Sequence, residues 1–368
     1  MIIGVPKEIK NKENRVGLVV AGVRACTQHG HSVFVQSNAG MGVGISDDDY
    51  ARAGAKIVET AREVYQKAEM IVKVKEPLPE EYELLREGQI LYTYLHLAAE
   101  ERLTKALLDR RIVGIAYETI QTKDGGLPLL APMSAVAGRM ATQIAATYLQ
   151  RDHGGKGILL GGVTGVDRAK CVVLGGGTVG INSAKMAVGL GAKVTIFDVN
   201  MNRLDYLSDI FGNEVTTLYS NSEQIERSVA EADLVIGAVL VPGAKAPKLV
   251  NREMISAMPA GGVVVDVAVD QGGCIETCRP TSHEHPTYIV DGVTHYAVPN
   301  MPGAVPHTST YALTNVTLRY ALQIADLGWK DAVRNDQALF KGVNLCIGKL
   351  TYRQVAEDLG LPYTPLEL

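Results

Sequence analysis

The stretch Cys171-Val-Val-Leu-Gly175-Gly-Gly177-Thr-Val-Gly180 spaces three glycines as a G-x-G-x-x-G turn, and Asp198 closes Val-Thr-Ile-Phe-Asp further on. The order reads as strand, turn, helix, strand and acid. Gly175 permits the tight turn off the strand, Gly177 lets a pyrophosphate approach the backbone, and Gly180 lets the helix pack against the sheet. Phosphates at such a turn meet unpaired N–H groups and the positive end of a helix dipole. A carboxylate at 198 would accept adenosine ribose hydroxyls and repel a 2′-phosphate, which favours NAD over NADP. Val199 stands where a phosphate reader would carry arginine, although Arg203 lies one turn on. A lone glycine motif is weak, but five parts coinciding in order favour a cofactor site over a structural loop.

Three other polar residues close apolar strand-like runs. Lys75 ends Ile71-Val-Lys-Val-Lys75, His96 ends Ile90-Leu-Tyr-Thr-Tyr-Leu-His96, and Asp270 ends Gly262-Val-Val-Val-Asp-Val-Ala-Val-Asp270. Open α/β sheets bind ligands at the carboxyl ends of their strands. Taken singly, each residue has a plainer explanation: a solvated lysine, a hydrogen-bonded histidine, a loop-capping aspartate.

The elements that must position these groups form two series. Strands are expected over 1–5, 31–36, 70–75, 89–95 and 112–116, with helices over 20–28, 47–53 and 99–109. After a loop at Thr122-Lys-Asp-Gly-Gly126, Pro132 precedes a long helix over 134–148. Strands over 171–174, 193–197, 214–218, 234–237, 262–269 and 295–298 follow, then a second long helix over 308–327. The remainder, 329–368, reads as helices and turns. Strands alternating with helical patterns imply parallel βαβ units. The fold expected is α/β with two Rossmann-like, doubly wound domains joined by two long helices. A nucleotide domain over 129–306 is inserted into a discontinuous substrate domain of 1–128 and 307–368.

Composition narrows the function classes. A chain of 368 residues has room for two cores. The formal net charge of −4 supplies no basic face for nucleic acid. The N-terminus lacks the basic and apolar regions of a signal peptide, and no apolar run approaches the roughly 20 residues of a membrane span. Five cysteines form no regular framework, and Cys274 with Cys278 lacks a second pair to complete a zinc site. Free thiols in the cytoplasm are expected. His283-Glu-His285 reads as surface rather than metal ligands, so no metal is expected.

Six blocks spread along the chain carry a resemblance: Lys7-Glu-Ile-Lys-Asn-Lys-Glu-Asn-Arg15-Val, Val72-Lys-Val-Lys75-Glu-Pro, Tyr94-Leu-His96-Leu-Ala-Ala, Pro132-Met-Ser134-Ala-Val-Ala-Gly-Arg-Met-Ala-Thr-Gln, Val265-Asp-Val-Ala-Val-Asp270-Gln-Gly-Gly and Asn300-Met-Pro-Gly-Ala. Together they resemble the NAD-dependent L-alanine dehydrogenases. The resemblance implies reversible oxidative deamination of L-alanine to pyruvate and ammonium. It implies that Arg15 holds the substrate carboxylate, for which a planar fork suits better than an ammonium. Lys75 would bind the carboxylate or carbonyl oxygen, and His96 and Asp270 would be the catalytic acid–base pair. Tyr94, Leu130, Asn300 and Met301 would wall a pocket sized for a methyl group. NAD would lie against Ser134, Gly175, Gly177, Thr178, Val179, Gly180, Asp198, Arg203, Ser220, Val239, Leu240, Val267, Asp270, Arg279, Val298 and Met301. A homo-oligomer, a hexamer, is implied as well, with no nucleic acid and no membrane among its partners.

The chain also departs from that family. Arg15-Val-Gly17-Leu-Val19-Val20 stands where Arg-Val-Ala-Leu-Thr-Pro is usual, losing a helix cap and a helix-start proline, a change of about 1 kcal/mol. His307 replaces a usual arginine, and Leu318-Arg319-Tyr320 stands where the family often has proline. Two alternatives remain: the NAD-binding subunit of a proton-translocating transhydrogenase, and a non-catalytic NAD-binding protein.

Overall fold

The computed structural model describes residues 1–239, 246–269 and 272–368. The chain forms two compact units, Met1–Met133 with Gly303–Leu368, and Ser134–Pro302.

In the first unit, β1 (Ile2–Val5), β2 (Ser32–Gln36), β3 (Lys56–Val58), β4 (Met70–Val72), β5 (Ile90–Thr93) and β6 (Val113–Ala116) form a parallel sheet in the order β3-β2-β1-β4-β5-β6. Every residue of β4, β5 and β6 is buried. That is why these strands read as continuous apolar runs rather than alternating ones. The strand β3 and the helix Ala61–Lys67 were not expected from the sequence. The strand is three residues long and begins on an exposed lysine, so it carries almost no periodicity. The helix is announced instead by a capping box, Thr60 with Glu63, matching Ser46 with Asp49 at Asp47–Arg52.

In the second unit, β7 (Lys170–Leu174), β8 (Lys193–Asp198), β9 (Val215–Tyr219), β10 (Leu234–Gly237), β11 (Val263–Asp266), β12 (Thr287–Val290) and β13 (Val293–Tyr296) take the order β12-β13-β11-β10-β7-β8-β9. Among the described strands of this sheet only β12 runs antiparallel, on β13. Both sheets therefore reverse direction beside their first strand, at β1/β4 and at β7/β10, as a doubly wound α/β fold does.

Several expected elements shift. The run 262–269 is a strand only to Asp266. The Asp266 carboxylate accepts the Ala268 N–H at 3.0 Å and the Ile275 N–H at 3.1 Å, which turns the chain out of the sheet. The two long helices begin earlier than expected, at Ala131–Tyr148 and Pro306–Leu327, with Pro132 and Pro306 inside the first turn. A proline there gives up only an N–H that the helix does not use.

The tail is not only helices and turns. It adds β14 (Val343–Cys346) and β15 (Lys349–Leu350), antiparallel, with β14 against β6. The two-residue loop Ile347-Gly348 has φ of 48° and 78°, the left-handed pair of a tight hairpin turn. Isoleucine at the first of those positions hid the turn. The β12–β13 hairpin turns on Asp291-Gly292, a recognisable signal, with φ of 50° and 81°.

Candidate functional site

Because β1, β4, β5 and β6 are parallel, their carboxyl ends share one edge, and four of the expected residues follow those ends. Arg15, in the segment after β1, is 2% exposed. Its Nε and Nη2 donate to the two Glu13 carboxylate oxygens at 2.7 and 2.6 Å, and Nη1 lies 3.3 Å from the Met133 Sδ. Burial opposes the guanidinium charge, but the hydrogen bonds and charge of Glu13 outweigh it and hold the Arg15 pKa above its ordinary value. Burial also opposes the Glu13 charge, yet Arg15 holds that carboxyl below the usual range.

Lys75 follows β4 and is buried. Its N–H donates to Glu8 at 3.2 Å and its carbonyl accepts from the Thr93 hydroxyl at 3.1 Å. The ammonium makes no hydrogen bond or ion pair with a described residue. Burial lowers its pKa below that of an ordinary lysine, with Arg15 and Lys10 adding to the effect and Glu76 and Glu13 opposing it.

His96 extends the end of β5 in a left-handed conformation, φ 50° and ψ 36°. That costs a residue with a Cβ about 1–2 kcal/mol. The Glu118 carboxylate, from the end of β6, offsets it by accepting the His96 N–H at 2.6 Å and the Leu95 N–H at 3.0 Å. The His96 ring stacks on Tyr94 at 5.8 Å between centroids, the planes 5° apart. Tyr94 is buried, which pushes its phenol pKa up, and its hydroxyl donates to the Leu129 carbonyl at 2.6 Å. Its hydroxyl is therefore already committed, which leaves only the ring to line a site. Leu130 is the next residue along, half-buried.

The sequence drew attention to neither Glu8, Lys73 nor Glu118. Lys73 is fully buried, donates to Glu81 at 2.8 Å and pairs with the Glu8 carboxylate at 3.2 Å, while Glu81 also accepts the Tyr65 hydroxyl at 2.8 Å. Burial raises the Glu8 pKa, against the pull of Lys73. The one available signal was a lysine two residues before Lys75 inside an apolar run, a pattern a solvated strand end also gives.

In the second unit the glycine turn joins β7 to the helix Thr178–Gly189. Each glycine has its own reason. Gly175 has φ 98°, and a Cβ on Gly180 would stand 1.8 Å from the Gly175 carbonyl oxygen. A Cβ on Gly177, in contrast, would meet no described residue within 4 Å. Packing among the described residues therefore does not require glycine at 177, whereas a group approaching from outside would. Thr178 and Val179 open the helix with no side-chain cap, leaving its first N–H groups to such a group.

The Asp198 carboxylate accepts the Gly176 N–H at 2.8 Å and the Asn200 N–H at 2.9 Å, tying the turn to β8. Arg203 donates from Nε to the Gly176 carbonyl and lies 4.8 Å over the Tyr206 ring, so it grips the turn too. Ser220 follows β9 and its N–H reaches the Asp198 carbonyl at 3.0 Å. Val239 follows β10, and Val267 follows β11 with its N–H on the Gly237 carbonyl at 2.9 Å. Val298 and Met301 are buried after β13, and Asn300 between them has φ 56°. Ser134 lies in the first turn of Ala131–Tyr148. Arg279 is not at a strand end: its guanidinium stacks 4.6 Å over Tyr288. Leu240 and Asp270 lie outside the described residues.

Arg15, Lys75, Tyr94 and His96 thus share the carboxyl edge of the first sheet, where the Arg15 charge acts on both Lys75 and Tyr94. Asn300 and Met301 belong to the second unit. Among the described residues no three His, Cys, Asp or Glu side chains gather as metal ligands, and no helix is long and apolar enough to cross a membrane.

Two family models match the chain. The model described as alanine dehydrogenase/PNT, N-terminal domain, matches residues 4–137, and the corresponding C-terminal domain matches residues 141–353. An alanine dehydrogenase of Methanococcus maripaludis is 62% identical over 368 residues, covering 100% of this chain and 99% of that one. A solved L-alanine dehydrogenase structure superposes with a TM-score of 0.95 at 55% identity, covering 98% of this chain and 99% of that one. The structure of a transhydrogenase from Sinorhizobium meliloti gives 0.82 at 25% identity, covering 95% of this chain and 100% of that one.

Proposed function

Because the chain belongs to the alanine dehydrogenase/PNT family, we propose that it carries out the reversible, NAD-dependent oxidative deamination of L-alanine to pyruvate and ammonium. What carries this reading at the site is the pair of buried cations, Arg15 and Lys75, beside His96 on one sheet edge.

Arg15, oriented by Glu13, takes the substrate carboxylate. Lys75 binds the oxygen of the reacting carbon, and its dry surroundings strengthen that attraction. His96, set by Tyr94 and Glu118, takes and returns protons as water adds to the imine carbon and ammonia departs. Asp270 is the second acid–base group in this scheme. Tyr94 and Leu130 wall the methyl group on the side of the first unit. The bare backbone at Gly177, the N–H groups at Thr178 and Val179, and Asp198 hold the dinucleotide. When bound, it accepts the substrate hydride in deamination and returns it in amination.

In this assignment residues 1–128 and 307–368 form the substrate domain and 129–306 the nucleotide domain, and the enzyme is a cytoplasmic homo-oligomer, a hexamer. The transhydrogenase reading shares the fold, but 62% identity over the whole length of an alanine dehydrogenase favours the amine chemistry. Initial rates of NADH oxidation with pyruvate plus ammonium, set against 2-oxobutyrate, glyoxylate and 2-oxoglutarate, test it. A pyruvate rate above the others is expected, and no rate with pyruvate and ammonium overturns it.

A further inference from the structure

The Lys75 ammonium has no fixed partner among the described residues, so its place is set by its backbone, and one side of that backbone has no described strand beside it. The ladder between β1 and β4 ends at Gly4 opposite Ile71. Past that point β5 still serves the other side: the Lys73 N–H reaches the Tyr92 carbonyl at 3.2 Å, and the Tyr94 N–H reaches the Val74 carbonyl at 3.4 Å. The N–H groups of Val74 and Lys75 are met instead by a side chain. Glu8, three residues beyond β1, accepts both on one carboxylate oxygen, at 2.6 and 3.2 Å. Its other oxygen lies 3.2 Å from the Lys73 ammonium, which Glu81 also holds at 2.8 Å.

We infer that Glu8 is a positioning residue for Lys75, standing in for the missing strand and fixing where the lysine enters the site. The inference rests on the reading of Lys75 as a substrate-binding residue. Burying carboxylates and an ammonium together is a poor way to gain stability alone, because desolvation consumes most of the attraction. What the arrangement provides is direction. The Lys73–Glu81 pair anchors the carboxylate, and the carboxylate hands two acceptor sites to the strand extension that carries Lys75.

Reach and charge can be separated. Glu8→Asp keeps the charge facing Lys73 but draws the carboxylate back by one methylene from the two N–H groups. Glu8→Gln keeps the reach and one acceptor oxygen but loses the charge. Positioning through the backbone predicts that Glu8→Asp is the more impaired, with the pyruvate KM raised about tenfold against about threefold for Glu8→Gln. The NADH KM stays within about twofold in both, since neither touches the glycine turn. The reverse order, or wild-type pyruvate KM in both variants, overturns the inference and leaves Glu8 a matter of charge balance. Lys75→Met is measured alongside and should raise the pyruvate KM more than either. If it leaves that KM unchanged, the reading of Lys75 fails first, and the Glu8 inference fails with it.

Discussion

Gly17 lies directly against the end of β4: a Cβ at residue 17 would stand 2.6 Å from the Val72 carbonyl oxygen and 3.1 Å from the Lys73 Cα. The contact presses the segment carrying Arg15 onto the strand extension that carries Lys75. The alanine usual at this place in the resembled family does not fit here without a backbone shift, because the atom in the way is main chain. Gly17→Ala should therefore separate the two cations and raise the pyruvate KM several-fold. It should also destabilise the protein by about 1–3 kcal/mol, as overpacking does. Steady-state rates with denaturation midpoints check both effects, and an unchanged pyruvate KM would show that the spacing of the pair does not depend on this contact.

The helix Val20–Gln28 starts from Val19, which has extended backbone and no side-chain cap. The loss of Thr-Pro noted in the sequence is thus a real gap in the structure. Val19→Thr gives the first turn a hydroxyl acceptor and should stabilise by about 1 kcal/mol. Val19 is buried, so the gain requires the hydroxyl to point at the helix N–H groups. A fall in the urea midpoint would mean that it faces the core instead.

Asp266 ties both ends of the turn that follows β11, and burial raises its pKa from 3.8 to about 6 against the Ile275 and Ala268 N–H groups and Lys248. The buried thiols of Cys274 and Cys278 lie in its field as well. A folded pKa above the unfolded one means the native state holds the proton more tightly. The associated stability is complete below about pH 4 and is lost as pH rises through about 6, on the order of 3 kcal/mol in all. Asp266→Asn cannot titrate, so its stability relative to wild type should improve between pH 4 and pH 7. Parallel denaturation midpoints across that range would assign the pH dependence elsewhere.

Asp198 is bound to the turn it was expected to serve, which complicates the simple reading of its role. Both carboxylate oxygens accept a backbone N–H, so Asp198→Ala loosens the turn as well as removing the proposed ribose acceptor. The NAD KM should rise for either reason. The discriminating quantity is the ratio of kcat/KM for NADP over NAD. Loss of the negative charge should raise it about tenfold or more, since a carboxylate no longer meets the 2′-phosphate. A constant ratio would leave Asp198 as a brace only.

Much of this architecture was legible because apolar runs and glycine turns are local. The strands β1, β2 and β7 to β10, the helix Val20–Gln28 and the glycine turn lie within a residue or two of where their residues imply. The groups that orient the candidate site were not legible, because their meaning is set by distant partners. Glu8 matters through Val74, and Glu118 through Leu95, His96 and a left-handed backbone, at separations no periodicity records. β14 and β15 were hidden for a local reason, an isoleucine in a position that ordinarily announces itself by asparagine or glycine.

Gly177 and Gly180, three residues apart, separate a packing demand from the proposed cofactor contact. A Cβ at 180 would collide with the Gly175 carbonyl oxygen, so Gly180→Ala should destabilise the second unit and lower its unfolding midpoint. At 177 the backbone, φ −66° and ψ −163°, suits alanine, and a Cβ there meets no atom of a described residue within 4 Å. Gly177→Ala should leave the midpoint of the NADH-free protein unchanged, or slightly raised through a less flexible unfolded chain. The methyl group would instead occupy the space through which a pyrophosphate approaches the backbone. NADH affinity, measured by fluorescence titration, should fall about tenfold or more while stability holds. Should Gly177→Ala bind NADH as tightly as wild type, the pyrophosphate would have to approach the chain somewhere other than this turn.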